Sequence, residues 1–429
     1  MNESFILFVW QHQYFDKSEL RTCQGENLMV LSAGYGNTDS GPDFMNARIR
    51  IGNIIWYGHV EIHLKSSDWM MHRHHRNAAY DNVILHVVWE NDRPITRTDH
   101  SEIPTLELRQ RTDLKLLDKY ISLVNTGNPE IQPACHETLR FIPEVIYLSM
   151  LEATLITRLQ KKAREILKIL AQCKGDWEET TFRILCQNFG FKLNADAFME
   201  LGKSIPFKIL KKHADNLFQI EALLFGQAGM LEADYQDQYA RELQKEYSFL
   251  SVKYDLTHHR LNPVIWKFLR TRPANFPTIR IAQLAKFISS VPYIFSLFSE
   301  TESSEHLMNI LNASPSEYWQ KHYTFDKLRS GSGAKVGKES INNILINTVV
   351  PIIAAVAVER DNEALMDRAI AFLEKIPGEN NRITKMWNHI GLNLDHAGDT
   401  QAAIELFNSY CTKRLCLHCR IGLCIINKL

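Results

Sequence analysis

The chain has no net charge: 49 Lys and Arg balance 49 Asp and Glu across 429 residues. This excludes the strongly basic composition that is the simplest mark of a nucleic-acid binder. A long hydrophobic run is also missing. The longest apolar stretch, Thr348 to Val358, contains Pro351 and follows Asn342, Asn343 and Asn347. A spanning helix needs about 20 apolar residues, so this stretch predicts a buried helix and no membrane partner. The first residues carry no Lys or Arg, and the apolar run Phe5 to Trp10 stops at Gln11-His12-Gln13. That is too short for the core of a secretory leader, so a cytoplasmic location is expected. Glycine and proline are few, at 19 and 14, and no repeat period stands out. Collagen-like and disordered chains are thereby set aside, though the last helices could stack as hairpins. With 45% hydrophobic and 23% charged residues, the chain reads as globular. Its length allows two or three domains.

What the chain does have is clustered. Seven of its 17 histidines fall between His59 and His100, where an even scatter would place about two. Four of its eight cysteines lie close to the end: Cys411, Cys416, Cys419 and Cys424. In a reducing compartment, clustered cysteines bind metal more often than they form disulfides.

The first 110 or so residues alternate with strand periodicity. The expected strands are 28–32, 47–51, 54–64, 83–89 and 103–108, with Gly52-Asn53 as a hairpin break. A helix near Phe5 to Phe15 precedes them. A polar segment from Asp68 to Asn82 predicts one more helix. This order makes the N-terminal domain α/β or α+β. From Pro143 onward the apolar period becomes helical, beginning with Val145 to Ala171. Asn125-Thr126-Gly127-Asn128-Pro129 is rich in turn formers. Two domains follow: residues 1–125, and an all-α domain over 126–429 that ends in the cysteine cluster.

On the strand 54–64, His59, Glu61, His63 and Lys65 alternate with Val60, Ile62 and Leu64. Period two puts the four polar side chains on one face. Asp43, after Pro42, stands at the start of the neighbouring strand. Two such carboxylates can converge on one divalent cation, and magnesium or manganese takes hard oxygen ligands of this kind. A nearby imidazole or ammonium can then orient or deprotonate an attacking water.

Pro42-Asp43, Glu61, His63 and Lys65, set within an α-β-β-β-α-β order, resemble the PD-(D/E)xK nuclease superfamily. The resemblance covers roughly residues 1–110. It implies a restriction-endonuclease-like fold and phosphodiester hydrolysis of nucleic acid. Asp43 and Glu61 would hold Mg2+ or Mn2+, and Glu19 or Glu26 would be a further acid. The sequence departs from that pattern in having His63, not Lys, two residues after Glu61; Lys65 points the same way. A second resemblance spans most of the chain, to a family of uncharacterised bacterial proteins. It rests on Gly41-Pro42-Asp43-Phe44, Gly58-His59-Val60-Glu61-Ile62-His63, Leu85-His86-Val87-Val88, the run Ala222 to Gly229 and Arg272-Pro273-Ala274-Asn275-Phe276-Pro277. It implies no established activity.

Three functions follow as expectations. The first is a metal-dependent nuclease using Asp43, Glu61, His63 and Lys65. The second is a non-catalytic nucleic-acid or protein-binding scaffold on the same core. The third is an iron or manganese enzyme whose metal sits on His59, Glu61 and His63, since imidazole suits such ions. His72, His74 and His75 beside Arg73 and Arg76 read first as an exposed basic helix start. Phosphate contact is their functional alternative. His86 reads as a hydrogen-bonded core residue with Asp81 or Tyr80 as partner.

Cys416-x-x-Cys419 makes a thiolate knuckle, with Cys411 placed as a third ligand. Zn2+ or an iron–sulfur cluster would suit it. The fourth ligand is Cys424, His418 or Cys135. Gly331 to Glu339 imitates a phosphate-binding loop, but its spacing fails and Glu339 replaces the hydroxyl residue. Arg270, Arg272 and Arg280 contact phosphates or cap helices. Lys208, Lys211 and Lys212 predict a solvated helix face.

Overall fold

The alternating segments pair as one mixed sheet in the computed structural model, which describes residues 2–37, 40–329 and 335–428. Helix α1 (Glu3–Gln11) leads to β1 (Leu28–Ser32), the short β2 (Tyr35–Gly36), β3 (Phe44–Ile51) and β4 (Ile54–Lys65). A brief helix, α2 (Asp68–Met71), precedes β5 (Val83–Glu90) and β6 (Thr105–Glu107). The strand order is β1-β3-β4-β5-β6, with β2 also beside β3. Strands β1, β3 and β4 run antiparallel, whereas β5 joins β4 and β6 joins β5 in parallel. A parallel neighbour requires a crossover, and residues 66–82 provide it.

Strand β5 is buried at every position except Glu90. An unbroken apolar run of this kind suits a parallel strand covered on both faces. Phe5, Ile6 and Trp10 of α1 are fully buried, and each such side chain contributes about 1.5–3 kcal/mol. The Phe5 ring stacks on Tyr120 with centroids 5.2 Å apart. Trp10 Nε1 donates to the Ala33 carbonyl at 3.2 Å. The β3–β4 hairpin turns at Gly52, whose φ of +57° is what a two-residue hairpin loop asks of its first position.

Gly58 allows β4 to sit close to the start of β5. A Cβ there would lie 2.4 Å from Ile84 Cγ2 and 2.5 Å from the Asn82 carbonyl oxygen. Gly58→Ala is therefore expected to cost about 1–3 kcal/mol, read as a lower midpoint in thermal unfolding. An unchanged midpoint would show that the strands can slide apart at no cost.

The segment 68–82 is not the single helix expected. It breaks into α2 and two single 3-10 turns, His74–Arg76 and Ala78–Tyr80. Arg73 takes a left-handed φ of 63° and ends α2. Asn77 is extended, and its side chain accepts from the Ala79 amide, favouring a turn over a continued helix. These reversals bring His72 and His74 back toward β4.

From Glu144 the chain is helical, beginning with a 29-residue helix, Glu144–Gln172. Helices also form at Leu114–Asn125, Ile294–Glu300, Glu317–Lys321 and Arg420–Lys428. The apolar stretch lies in one helix over Lys338–Glu359, which is long and apolar enough to cross a membrane and is mostly buried within the chain. A π segment, Leu345–Val349, precedes Pro351. Proline leaves the carbonyl four residues back without an amide donor. The Asn347 carbonyl accepts from Asn188 Nδ2 at 3.1 Å instead.

Arg280 is buried against Phe191 and donates to Asn275, Gln283 and Ser340, so its role is structural. Arg270 and Arg272 are exposed. The expected loop at 330–337, with the glycines of the phosphate-loop imitation, begins outside the described residues.

The chain forms two compact units. The first comprises 1–151, 389–391 and 406–429; the second comprises 152–388 and 392–405. The turn-rich segment at 125–129 had assigned the cysteine-bearing end to the helical part. That end instead belongs to the sheet-bearing unit.

Candidate metal centre

Phe44 pairs with Val60, so Asp43 stands opposite Glu61 across the β3–β4 ladder. The Asp43 amide donates to Glu61 Oε2 at 3.0 Å, and the Ile62 amide donates to Asp43 Oδ2 at 2.9 Å. Each carboxylate thus grips the other's strand. Glu61 is 5% exposed. Among the described residues, its neighbours capable of positive charge are imidazoles, not Lys or Arg. Burial pushes Asp43 up to about 7, and the Glu61 charge adds to this. Burial pushes Glu61 up to about 8, and Glu3 adds to it.

Period two puts His63 on the same face as Glu61. It is buried, with Nδ1 2.8 Å from His86 Nε2 and Nε2 3.0 Å from His72 Nδ1. His74 Nε2 lies 3.3 Å from Glu61 Oε1 and, among the described residues, has no partner in hydrogen-bond geometry. The His74 ring stacks on Tyr80 at 3.8 Å. Trp69 meets both His74 and His86 edge-on, and its Nε1 is anchored on the Thr96 carbonyl. Burial, then the neighbouring His86, hold His63 down to about 2. Burial also holds His86 down to about 3. Both imidazoles stay neutral at physiological pH, the form that binds metal.

The donor set suits a divalent cation. His63, His72 and His74 each offer a nitrogen, all within 4.8 Å of one another. Glu61 Oε1 lies 3.3 Å from His74 Nε2 and 3.7 Å from His63 Nε2. Ligands about 2.0–2.1 Å from one tetrahedral ion are spaced about 3.3 Å apart. Mixed imidazole and carboxylate donors favour manganese, iron or zinc over magnesium.

Asp43, Glu61 and His63 therefore come together. Lys65 is exposed at the far end of β4, where its amide bonds Asp68 Oδ2 at 3.0 Å. His59 is half-buried and accepts from the Asn46 amide, so the imidazole group consists of His63, His72 and His74 instead. Glu19 and Glu26 are exposed before β1. The acid whose charge acts on both Asp43 and Glu61 is Glu3, at the first turn of α1. His86 pairs with His63; Asp81 bonds Thr98. His74 is buried, not part of an exposed basic helix. The crowding of histidines between 59 and 100 was the available signal for His72 and His74.

Metal binding here must displace protons from the carboxylate pair. At pH 6.5, below both raised values, Mn2+ binding is expected to release protons. The release should fade above pH 9. Calorimetric titration in buffers of different ionisation enthalpy reads this number directly, and binding with no proton release at pH 6.5 would place the ion elsewhere.

A family model described as "Protein of unknown function (DUF2851)" matches residues 3–382. No curated protein and no solved structure matches the chain.

Proposed function

The chain belongs to the DUF2851 family, and from that starting point we propose that it is a metal-dependent nuclease, hydrolysing phosphodiester bonds at Asp43 and Glu61. One observation carries this reading. Buried Glu61 and half-buried Asp43 each bond the other's strand, Glu61 lies at ligand spacing from His63 and His74, and among the described residues no Lys or Arg pairs with either carboxylate. The element order supports a restriction-endonuclease-like core: α1, then β1, β3 and β4 antiparallel, then α2 and a parallel β5.

Asp43, Glu61, His63 and His74 would hold the cation. Bound there, a divalent metal supplies Lewis-acid activation of water and of the phosphate. His86 fixes the His63 ring through its Nδ1 and so presents Nε2 to the site. His72 is exposed at the rim of the site. Arg73 and Arg76, also exposed, supply local positive charge beside it.

A nucleic acid is favoured over a small phosphodiester by the hairpin. Ile55 and Tyr57 share the face of Glu61 and His63, being odd-numbered on β4. Arg50 and Arg48 stand opposite them on β3. Tyr57 is 69% exposed and Arg48 is exposed beside it. A ring for stacking and a guanidinium for phosphate form a platform leading to the carboxylates.

A second reading, iron or manganese oxygen chemistry, is favoured by the trio of His63, His72 and His74. Purified protein incubated with labelled single- and double-stranded DNA and RNA in Mn2+, Mg2+ or Zn2+ separates the two. Cleavage that disappears in Asp43→Asn is expected. Tightly held iron that is lost in His74→Ala, without cleavage, would favour the second reading, and no cleavage with no metal dependent on His74 would leave a binding scaffold. For the platform, Tyr57→Ala with Arg48→Ala is expected to raise KM about 10-fold or more with kcat nearly unchanged. An unchanged KM would remove the hairpin from substrate binding.

A further inference from the structure

We propose that Cys135, Cys411, Cys416 and Cys419 hold an iron–sulfur cluster within the sheet-bearing unit. All four line one small cavity, together with Leu123, Tyr410 and Leu415. Cys135 comes from the segment that follows α3 (Leu114–Asn125), far from the other three in sequence. None of the four is in a disulfide. Cys424 sits outside the cavity lining, and His418 is exposed, so Cys135 is the fourth donor.

The local backbone is shaped for thiolates. The Cys419 amide closes a turn on the Cys416 carbonyl at 3.3 Å. Gly422 is required there, because a Cβ would lie 2.1 Å from the Cys416 carbonyl oxygen. Arg414 donates to the carbonyls of Thr126 and Gly127 at 2.6 and 2.5 Å. Burial and the neighbouring cysteines push the thiols of Cys411 and Cys416 up, and the Arg414 charge acts the other way.

Spacing favours a cluster over a single ion. Four sulfurs about 2.3 Å from one zinc stand about 3.8 Å apart. Among the described residues, the one trio of ligand atoms mutually within 4.8 Å is His63, His72 and His74. No three of the four sulfurs meet that limit, and together the four cysteines line a cavity. Cys-x4-Cys-x2-Cys with a remote fourth cysteine is also a spacing that carries iron–sulfur clusters. The cluster would tie residues 133–136 to 411–422, a structural role independent of the carboxylate site.

The test uses the full chain purified without oxygen. Iron and acid-labile sulfide in equal amounts are expected, with visible absorption that bleaches on reduction. Zinc without sulfide, or neither metal, would overturn the proposal. Cys135→Ser should lose the iron, whereas Cys23→Ser and Cys424→Ser should keep it. Full iron in Cys135→Ser would overturn this ligand set. If the serine variants do not fold, the iron and sulfide content of the wild-type chain still decides. Asp43→Asn should leave the cluster intact, so failure of the nuclease reading remains separate.

Discussion

Glu61→Gln is expected to abolish cleavage, by about 1,000-fold or more, and yet to stabilise the metal-free protein. The sign follows from the direction of the shift. Burial raises Glu61 from the ordinary 4.5 to about 8. Between those values the folded chain holds a proton that the unfolded chain has lost. The stability tied to that proton is complete below pH 4.5 and is gone once the pH passes about 8. Above pH 8 the folded protein keeps an unbalanced buried charge, which glutamine lacks. Glutamine can still accept from the Asp43 amide, so the strand contact survives. The relief is about 2 kcal/mol after allowing for the shared titration with Asp43, or a rise of roughly 4–8 °C in the unfolding midpoint. The scan belongs at pH 8.5 in chelator, because His63 and His86 are depressed and pull the other way only below pH 6.5. A midpoint that falls in Glu61→Gln would mean that the carboxylate is already balanced by a group in contact with it.

His63→Ala and Lys65→Ala form the second decisive pair. Loss of His63 removes a ligand and strands His86, so divalent-metal affinity is expected to fall by at least about 10–100-fold. Lys65→Ala should change turnover by less than about threefold, because its side chain is solvated beyond the buried cluster. The opposite ranking in metal titrations and turnover would return the cationic role to Lys65.

The legible parts of this site are those governed by short periods. Alternation on β4 put Glu61 and His63 on one face, and Pro42-Asp43 marked the adjoining strand start. Both depend on neighbours in sequence. His74 escaped because its place depends on two backbone reversals, at Arg73 and at Asn77, and a His-rich polar segment looks helical and exposed by composition. Glu3 escaped because an acid in a first helical turn already has a local explanation in the helix dipole. The resemblance places a further acid in the first-helix region, as Glu19 or Glu26, yet the charge that acts on the carboxylates comes from Glu3 in the first turn of α1. The helical part was readable for the same reason as β4, since Trp177–Phe189 and Glu363–Glu374 each display one apolar stripe. The unit boundaries were not, because they depend on which distant segments pack together.

The return of residues 406–429 to the sheet-bearing unit sets a timetable for folding. A chain emerges from the ribosome from its first residue onward, at about 5–20 residues per second. The β3–β4 hairpin and Asp43 are made early, but Cys411 to Cys419 arrive only after the whole second unit. The first unit must wait for that end before it can close, while the second can fold as it appears. A fragment stopped anywhere in 152–388 would carry every residue of the carboxylate site and still lack part of the unit that supports it.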